Sequence, residues 1–351
     1  MMQVAKWWLM TVALMVYVIV PLVFAEPLFL REIWFDEARQ RHVNVKLAFP
    51  RSGPSKDAMP VLLFSAPQGW RWGGQRDSYE YLADEMVNQG IAMVIMSHYD
   101  ITETQGTPEK FADIYPGILT GSRHDHAVDR YEDGRFVLRE LTRRNGQSLP
   151  GWPKLEMETI AVGGHSAGVL TALHLCGLPV RDLADETYAA QSDPRIQAFV
   201  IFGYPMEYRG PRRGDLKRVR GVAGLHVVGS QDHPIYRNTS YRYIGGAPQY
   251  WLVAKGGHDV GDRGSRDLVR EVTSRFLRAY LFKDASARNL MNSGKFEDPS
   301  GDLQQYRTKL VERWWHVDQR DFGAWVRDVL PWGKWLHNFS VSYHGGQKVK
   351  E

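Results

Sequence analysis

A serine, an aspartate and a histidine occur in this chain in an order that could support nucleophilic catalysis. Ser166 lies in the sequence Gly-His-Ser-Ala-Gly, directly after a short apolar stretch. Asp232 and His258 follow, each just past a later apolar stretch that ends in a turn. A serine hydroxyl is a weak nucleophile until a neutral imidazole accepts its proton, and a carboxylate can orient that imidazole. The three residue types therefore predict acyl-transfer chemistry if the fold brings them together.

The sequence around Ser166 predicts a strand, a sharp turn and a helix. Gly-x-Ser-x-Gly between a buried strand and a helix is the pattern of a nucleophile elbow, in which a strained turn exposes the hydroxyl. Gly164, Ala167 and Gly168 are small enough for such a turn, and the helix that follows offers backbone N–H groups to an oxyanion. His165 is expected to support the elbow. Because the pentapeptide alone is a weak signal in a glycine-rich chain, the prediction depends on its partners.

Two other carboxylates compete with Asp232 for the role of the acid. Glu207 follows the preceding predicted strand and would suit a site with its acid one strand earlier. Asp259 is adjacent to the histidine, so its side chain cannot easily reach the far nitrogen of the same imidazole. The spacing favours Asp232. His258 is favoured because most of the other histidines fall inside predicted elements or in the C-terminal tail.

One further pair of histidines has a spacing that could bind a metal ion. His124 and His126 alternate in the sequence, but no third clustered ligand is evident. We interpret this segment as the solvated start of a helix, and the sequence predicts neither a metal ion nor a cofactor.

The elements that must position these residues alternate between strands and helices. Residues 28–50 read as a hairpin around residues 36–39, and the rest of the pattern predicts a mostly parallel, doubly wound α/β sheet behind that antiparallel entry. The predicted strands are residues 61–65, 91–98, the stretch before Ser166, 195–205 and the two stretches before Asp232 and His258. The predicted helices are residues 78–88, 129–144, the stretch after Ser166 and 265–282.

The N-terminus predicts export. Lys6 precedes an uncharged apolar stretch at residues 7–25, and Val23 and Ala25 are small residues at the positions that a signal peptidase requires. Residues 1–25 are therefore expected to be a signal peptide of a periplasmic or secreted protein. The stretch is also near the length that spans a bilayer, so an uncleaved membrane anchor formed by residues 7–25 is the alternative.

Composition sets limits on partners and on covalent cross-links. The 351 residues carry a formal net charge of only +4 and no basic nucleic-acid motif, so no nucleic-acid partner is expected. The single cysteine, Cys176, excludes an intramolecular disulfide and is expected to be a buried thiol. Residues 26–285 are long enough for one large catalytic domain.

The tail, residues 286–351, is expected to be a helical, Trp-rich extension. Leu303, Tyr306, Leu310 and Trp314 recur at helical spacing and are expected to pack on the core. Residues 322–339 combine tryptophan with basic residues, so contact with a membrane surface is an alternative role for that part.

The motifs together resemble those of a known family. The hairpin, the strand and loop at residues 60–100, and the sequences GGHSAG, SQD and KGGHD are similar to those of the secreted predicted dienelactone hydrolases. This branch of the α/β-hydrolase superfamily is related to the platelet-activating-factor acetylhydrolases. The resemblance implies the α/β-hydrolase fold and an esterase whose oxyanion donors are the backbone N–H groups of Gln68 and Ala167. Where that family has His-Gly before the donor, this chain has Ala66 and Pro67, which leaves the oxyanion geometry open.

The function expected from the sequence is that of an extracytoplasmic serine hydrolase that cleaves small-molecule or lipid-derived acyl esters. Ser166, Asp232 and His258 form its expected triad. A peptidase or acyltransferase with the same triad is the alternative, and a non-catalytic binding module on the same fold is a third. The sequence itself does not specify the acyl chain or the leaving group.

Overall fold

A computed structural model describes most of the chain from residue 27 to residue 310. The residues described are 27–51, 57–67, 79–98, 123–147, 152–181, 187–188, 190–204, 211, 213–232, 238–261, 265–298, 300–310, 343–344 and 347–348. The expected signal peptide or anchor, Gln68, Glu207 and the tryptophans of the tail lie outside these residues.

Strands and helices alternate through most of the described chain. The strands are β1 (Pro27–Asp36), β2 (Arg41–Pro50), β3 (Met59–Ser65), β4 (Ala92–Ser97), β5 (Leu155–His165), β6 (Val180–Arg181), β7 (Thr187–Tyr188), β8 (Ile196–Phe202), β9 (Ala223–Gly229), β10 (Gln249–Ala254), β11 (Leu303–Lys309), β12 (Tyr343–His344) and β13 (Gln347–Lys348). The helices are α1 (Glu80–Asn88), α2 (Arg123–Asn145), α3 (Ala167–Leu175), α4 (Arg213–Leu216), α5 (Thr239–Tyr243), α6 (Arg266–Leu281) and α7 (Ala285–Ser293).

Nine of the described strands form one sheet, in the order β1-β2-β4-β3-β5-β8-β9-β10-β11. Along this order, the adjacent strands from β4 through β10 are parallel to one another. The hairpin β1-β2 joins β4 antiparallel at one edge, and β11 joins β10 antiparallel at the other. The expected α/β class, with a mostly parallel sheet and an antiparallel N-terminal hairpin, is therefore confirmed.

Helices cover both faces of this sheet, as β3 illustrates. Successive side chains of a strand point to opposite faces. Accordingly, Val61 and Leu63 join a core that includes side chains of α2 and α3, whereas Leu62 and Phe64 join a core that includes side chains of α1 and α6. Burial on both faces explains why the parallel strands are mostly apolar.

Most element boundaries lie within two residues of those predicted from the sequence, but α2 is longer. It begins at Arg123, six residues before the predicted start, so His124 and His126 fall in its first turns. The side chains of these two histidines lie outside what the structure describes. Cys176 is buried at the end of α3, as expected, and burial raises the pKa of its thiol.

The tail departs from the prediction. Leu303, Tyr306 and Leu310 pack against the core, as expected, but the helix predicted through them is wrong, because residues 303–309 form strand β11. The backbone groups along the outer edge of β10 need partners, and β11 supplies them through its antiparallel pairing. The sheet thus extends past residue 285, where the sequence predicted that the domain would end.

Among the described helices, none combines the length and the apolar composition that crossing a bilayer requires.

Buried histidines are expected to make the protein less stable in acid. Nδ1 of His174 lies 2.8 Å from the carbonyl oxygen of Leu178, and burial, opposed by that hydrogen bond, lowers the pKa of the ring to about 4. An unfolded histidine titrates near pH 6.5. Between those values the unfolded chain binds more protons, so the free energy of unfolding should fall as the pH falls, by up to about 1.4 kcal/mol per pH unit.

We therefore expect His174→Asn, which keeps a donor for Leu178 and does not titrate, to show a shallower fall than the wild type. Urea unfolding at intervals between pH 6.5 and pH 4 measures the two slopes. His226, whose pKa is lowered to about 3 by burial, titrates in both proteins and serves as the common background. Equal slopes would show that His174 is not the group responsible.

Candidate active site

Ser166 occupies a strained turn between β5 and α3. Its backbone has φ 53° and ψ −121°, a conformation that non-glycine residues rarely adopt. Such strain costs on the order of 1–3 kcal/mol and persists where the surrounding structure enforces it. Here β5 lies in the middle of the sheet, and the N–H of Ser166 donates to the carbonyl of Phe202 on the next strand, at 3.0 Å. The predicted strand, sharp turn and helix around Ser166 are therefore present in the structure.

Two glycines make this turn sterically possible. A methyl group on Gly164 would lie 2.1 Å from the carbonyl oxygen of Gly168, and one on Gly168 would lie 2.1 Å from the carbonyl oxygen of Ser65. Both distances are far below van der Waals contact, and the atoms met are backbone atoms that cannot move aside. The end of β3, the end of β5 and the start of α3 can thus approach one another only with glycine at these positions.

The predicted triad residues lie in one hydrogen-bonded line. Nε2 of His258 is 2.9 Å from Oγ of Ser166, and Nδ1 of His258 is 3.1 Å from Oδ2 of Asp232. Because an ionised carboxylate only accepts, Nδ1 carries the proton, and Nε2 is left to accept from the serine hydroxyl. The aspartate side chain is 4% exposed and that of the histidine 34%. The imidazole is therefore partly exposed to solvent, while its carboxylate partner is sheltered.

The turns that carry Asp232 and His258 are joined by backbone contacts. After β9, the N–H of Ser230 donates to Ala254 and the N–H of Gln231 donates to Gly256, both at 2.8 Å. A methyl group on Gly229 would lie 2.0 Å from the carbonyl oxygen of Gly257. This close approach brings Asp232 beside His258, since both residues follow neighbouring parallel strands that end at the same edge of the sheet.

The other site residues expected from the sequence divide between described and undescribed parts. Ala167 is the first residue of α3, where helical N–H groups have no partner within the helix. Gln68, the other expected oxyanion donor, and Glu207, the rival acid, lie outside the described residues. Asp259 is exposed, and the carboxylate that contacts His258 is that of Asp232. Within the described residues, no group of three or more His, Cys, Asp or Glu side chains could hold a metal ion.

His165 makes contacts that its sequence context does not reveal. Its ring is buried, with Nδ1 2.5 Å from the hydroxyl of Tyr79 and Nε2 2.9 Å from the backbone carbonyl of His258. The expectation that it supports the elbow is therefore only part of its role in the structure. His165 directly precedes Ser166 in the chain, and its ring also bonds to the backbone of His258.

A second Ser-His-Asp arrangement, which was not predicted from the sequence, lies at the ends of β3 and β4. Nε2 of His98 is 2.8 Å from Oγ of Ser65, and Nδ1 of His98 is 2.9 Å from Oδ2 of Asp133. Arg39 and Arg41 donate to the same carboxylate from the hairpin, at 2.7 and 2.9 Å. Ser65 is inaccessible to solvent. This cluster therefore joins the hairpin, β3, β4 and α2, and its serine is in no position to meet a substrate.

The charges of this cluster fix its ionisation. Burial opposes ionisation of Asp133, but the hydrogen bond and charge interaction with His98, together with the charge of Arg41, hold the pKa of the carboxyl well below its usual range. An ionised aspartate that is fully buried is tolerated only with such partners. No sequence motif links the members of this cluster, whose hydrogen-bonded pairs lie 33 to 94 positions apart.

Comparison with known proteins finds no family model that matches this chain and no curated protein that matches its sequence.

Proposed function

We propose that the protein is a serine hydrolase that cleaves carboxylic esters through a covalent acyl-enzyme. The observation that carries the proposal is the position of His258, whose imidazole joins Ser166 Oγ to the sheltered carboxylate of Asp232. Three residues predicted as a triad from their chain order are within hydrogen-bond reach in the order that nucleophilic catalysis requires. The strained, partly exposed turn at the serine is the second feature that supports this role.

The geometry supports a specific catalytic role for each of the three residues. Nε2 of His258 takes the proton of Ser166 as the serine oxygen bonds to the ester carbonyl carbon, and it gives that proton to the departing alcohol. The carboxylate of Asp232 stabilises the imidazolium that forms in between. A water molecule, activated by the same nitrogen, then hydrolyses the acyl-enzyme and regenerates the serine.

The negative charge on the carbonyl oxygen needs donors near the serine. The N–H of Ser166 is already bonded to Phe202, so the next backbone N–H, that of Ala167 at the start of α3, is the donor we propose. The positive end of the α3 helix dipole favours the same charge. Gln68 remains the proposed second donor, on the resemblance alone.

The α/β-hydrolase fold is part of the same proposal. A serine at a strand-to-helix turn near the middle of the sheet, with its acid and histidine after β9 and β10, supports that assignment. We propose small-molecule or lipid-derived esters as the substrate class, in line with the branch that the motifs resemble. No cofactor is needed for this chemistry.

Replacing the nucleophile tests the proposal directly. Ser166→Ala should lose ester hydrolysis by several orders of magnitude, because no other group forms the acyl-enzyme, while the protein still folds. Initial rates on chromogenic esters of graded chain length measure the loss. A fluorophosphonate should label Ser166, as read by mass spectrometry, and Ser65→Ala is the matched control in which that labelling persists. Labelling of Ser65 or of another serine would refute the assignment.

Replacing the acid tests the tautomer argument. Asp232→Asn should lower kcat on the order of 10⁴-fold, because an amide no longer favours the proton on Nδ1 of His258. Asp259→Asn, which changes an exposed neighbour in the same way, should leave kcat close to that of the wild type. If Asp232→Asn stays active while Glu207→Gln loses its activity, the acid is Glu207, which follows the preceding predicted strand.

We also propose that the protein acts outside the cytoplasm. The support is the sequence alone: Lys6, the apolar stretch at residues 7–25, and the small residues Val23 and Ala25. N-terminal sequencing of protein recovered from the exported fraction should begin at Glu26. Exported protein that begins at Met1 would instead favour the membrane anchor.

A further inference from the structure

His165 and Tyr79 form a buried chain of hydrogen bonds that ends on the backbone of the proposed base. The hydroxyl of Tyr79 is 2.5 Å from Nδ1 of His165, and Nε2 of His165 is 2.9 Å from the carbonyl oxygen of His258. Both side chains are buried. A polar chain in such surroundings is stable only when its donors and acceptors match.

The carbonyl oxygen of His258, at the end of this series of hydrogen bonds, determines which group donates in each bond. A backbone carbonyl oxygen only accepts hydrogen bonds, so Nε2 of His165 must carry the ring proton that it donates to His258. In the neutral ring Nδ1 is then an acceptor, and the hydroxyl of Tyr79 donates to it. The proton order is the reverse of that in His258, where Nδ1 carries the proton and Nε2 accepts.

The packing around the contact leaves it little freedom. Gly203, at φ +53°, fits where a methyl group would lie 2.6 Å from the carbonyl oxygen of His258 and 3.2 Å from Nε2 of His165. The two imidazole rings are 5.4 Å apart between centroids. The ends of β5 and β8 and the turn after β10 therefore meet at this one hydrogen bond.

Tyr79 is itself held in an unusual conformation. It precedes α1 in the left-handed region at φ 73°, which a residue with a side chain adopts only at a cost. Its ring packs on Phe64 at 4.7 Å, and its carbonyl accepts from the N–H groups of Leu82 and Ala83. These contacts fix the position of the Tyr79 hydroxyl that donates to His165.

We propose that His165 and Tyr79 are positioning residues for the base, an inference that rests on the proposed function. Through the carbonyl of His258 they set the distance between its imidazole and Ser166 Oγ. Because His165 is covalently next to the serine, the link makes the nucleophile and the base move together. The link requires the hydrogen-bond donor at Nε2 of His165, and it does not require the aromatic ring itself.

Two replacements of His165 separate the donor from the ring. In His165→Gln the amide nitrogen takes roughly the place of Nε2 and still donates to His258, whereas His165→Leu has similar bulk and no donor. We expect His165→Leu to lower kcat about 100-fold with little change in KM, since misplacement of a catalytic group acts on the chemical step. His165→Gln should recover most of that loss, and Tyr79→Phe should fall between the two.

A matched control identifies effects of stability alone. His226 is equally buried, with Nε2 2.9 Å from Oε1 of Gln249, and lies within β9 away from the triad. His226→Gln should lower the melting temperature and leave kcat per folded molecule unchanged. Equal losses of kcat in His165→Leu and His165→Gln, or wild-type kcat in His165→Leu, would overturn the proposal.

A second measurement works without any turnover. In protein labelled with ¹⁵N in its histidine rings, NMR should show His165 as the Nε2–H tautomer. The proton that His258 shares with Asp232 should persist in His165→Gln and broaden or disappear in His165→Leu. If the wild-type protein neither cleaves esters nor reacts with a fluorophosphonate, the proposed function fails, yet these spectra still decide the positioning. His165 found as the Nδ1–H tautomer, or an unchanged His258 signal in His165→Leu, would refute it.

Discussion

The close approach of three backbone segments at the elbow is the constraint on which the site depends. The end of β3, the end of β5 and the start of α3 meet where methyl groups on Gly164 or Gly168 would lie about 2 Å from a carbonyl oxygen. That approach forces Ser166 into its strained conformation and points its side chain toward His258. The cost of the strain is met by β5, which is buried between parallel neighbours on both sides.

The predicted parts of the fold are those for which the sequence carries a local signal. Apolar strands, an amphipathic α6 and the hairpin turn follow from periodicity and turn residues, so their existence and order were predictable. Strand β11 was not, because Leu303, Tyr306 and Leu310 fit a helical spacing as well as a partly buried edge strand. The segment forms a strand because the edge of β10 offers it backbone hydrogen-bond partners, and that edge exists only in the folded sheet.

The site shows the same limit at the level of side chains. Chain order and parallel strands placed Ser166, Asp232 and His258 at one edge of the sheet, so their meeting could be inferred from the sequence. Tyr79 could not be connected with His165, since no sequence motif includes both residues, which lie 86 positions apart. Long-range polar contacts of this kind depend on side-chain directions that only the packed structure sets.

The two Ser-His-Asp arrangements share the same contacts but differ in their surroundings. In both, a histidine contacts a serine through Nε2 and an aspartate through Nδ1. Ser65 is the last residue of β3 and is inaccessible to solvent, and arginines also hold the carboxylate of Asp133. Ser166 sits on a strained turn, and the imidazole beside it is one-third exposed. The proposal that Ser166 reacts and Ser65 does not therefore rests on access and backbone strain, because the residue types and distances are nearly the same in both places.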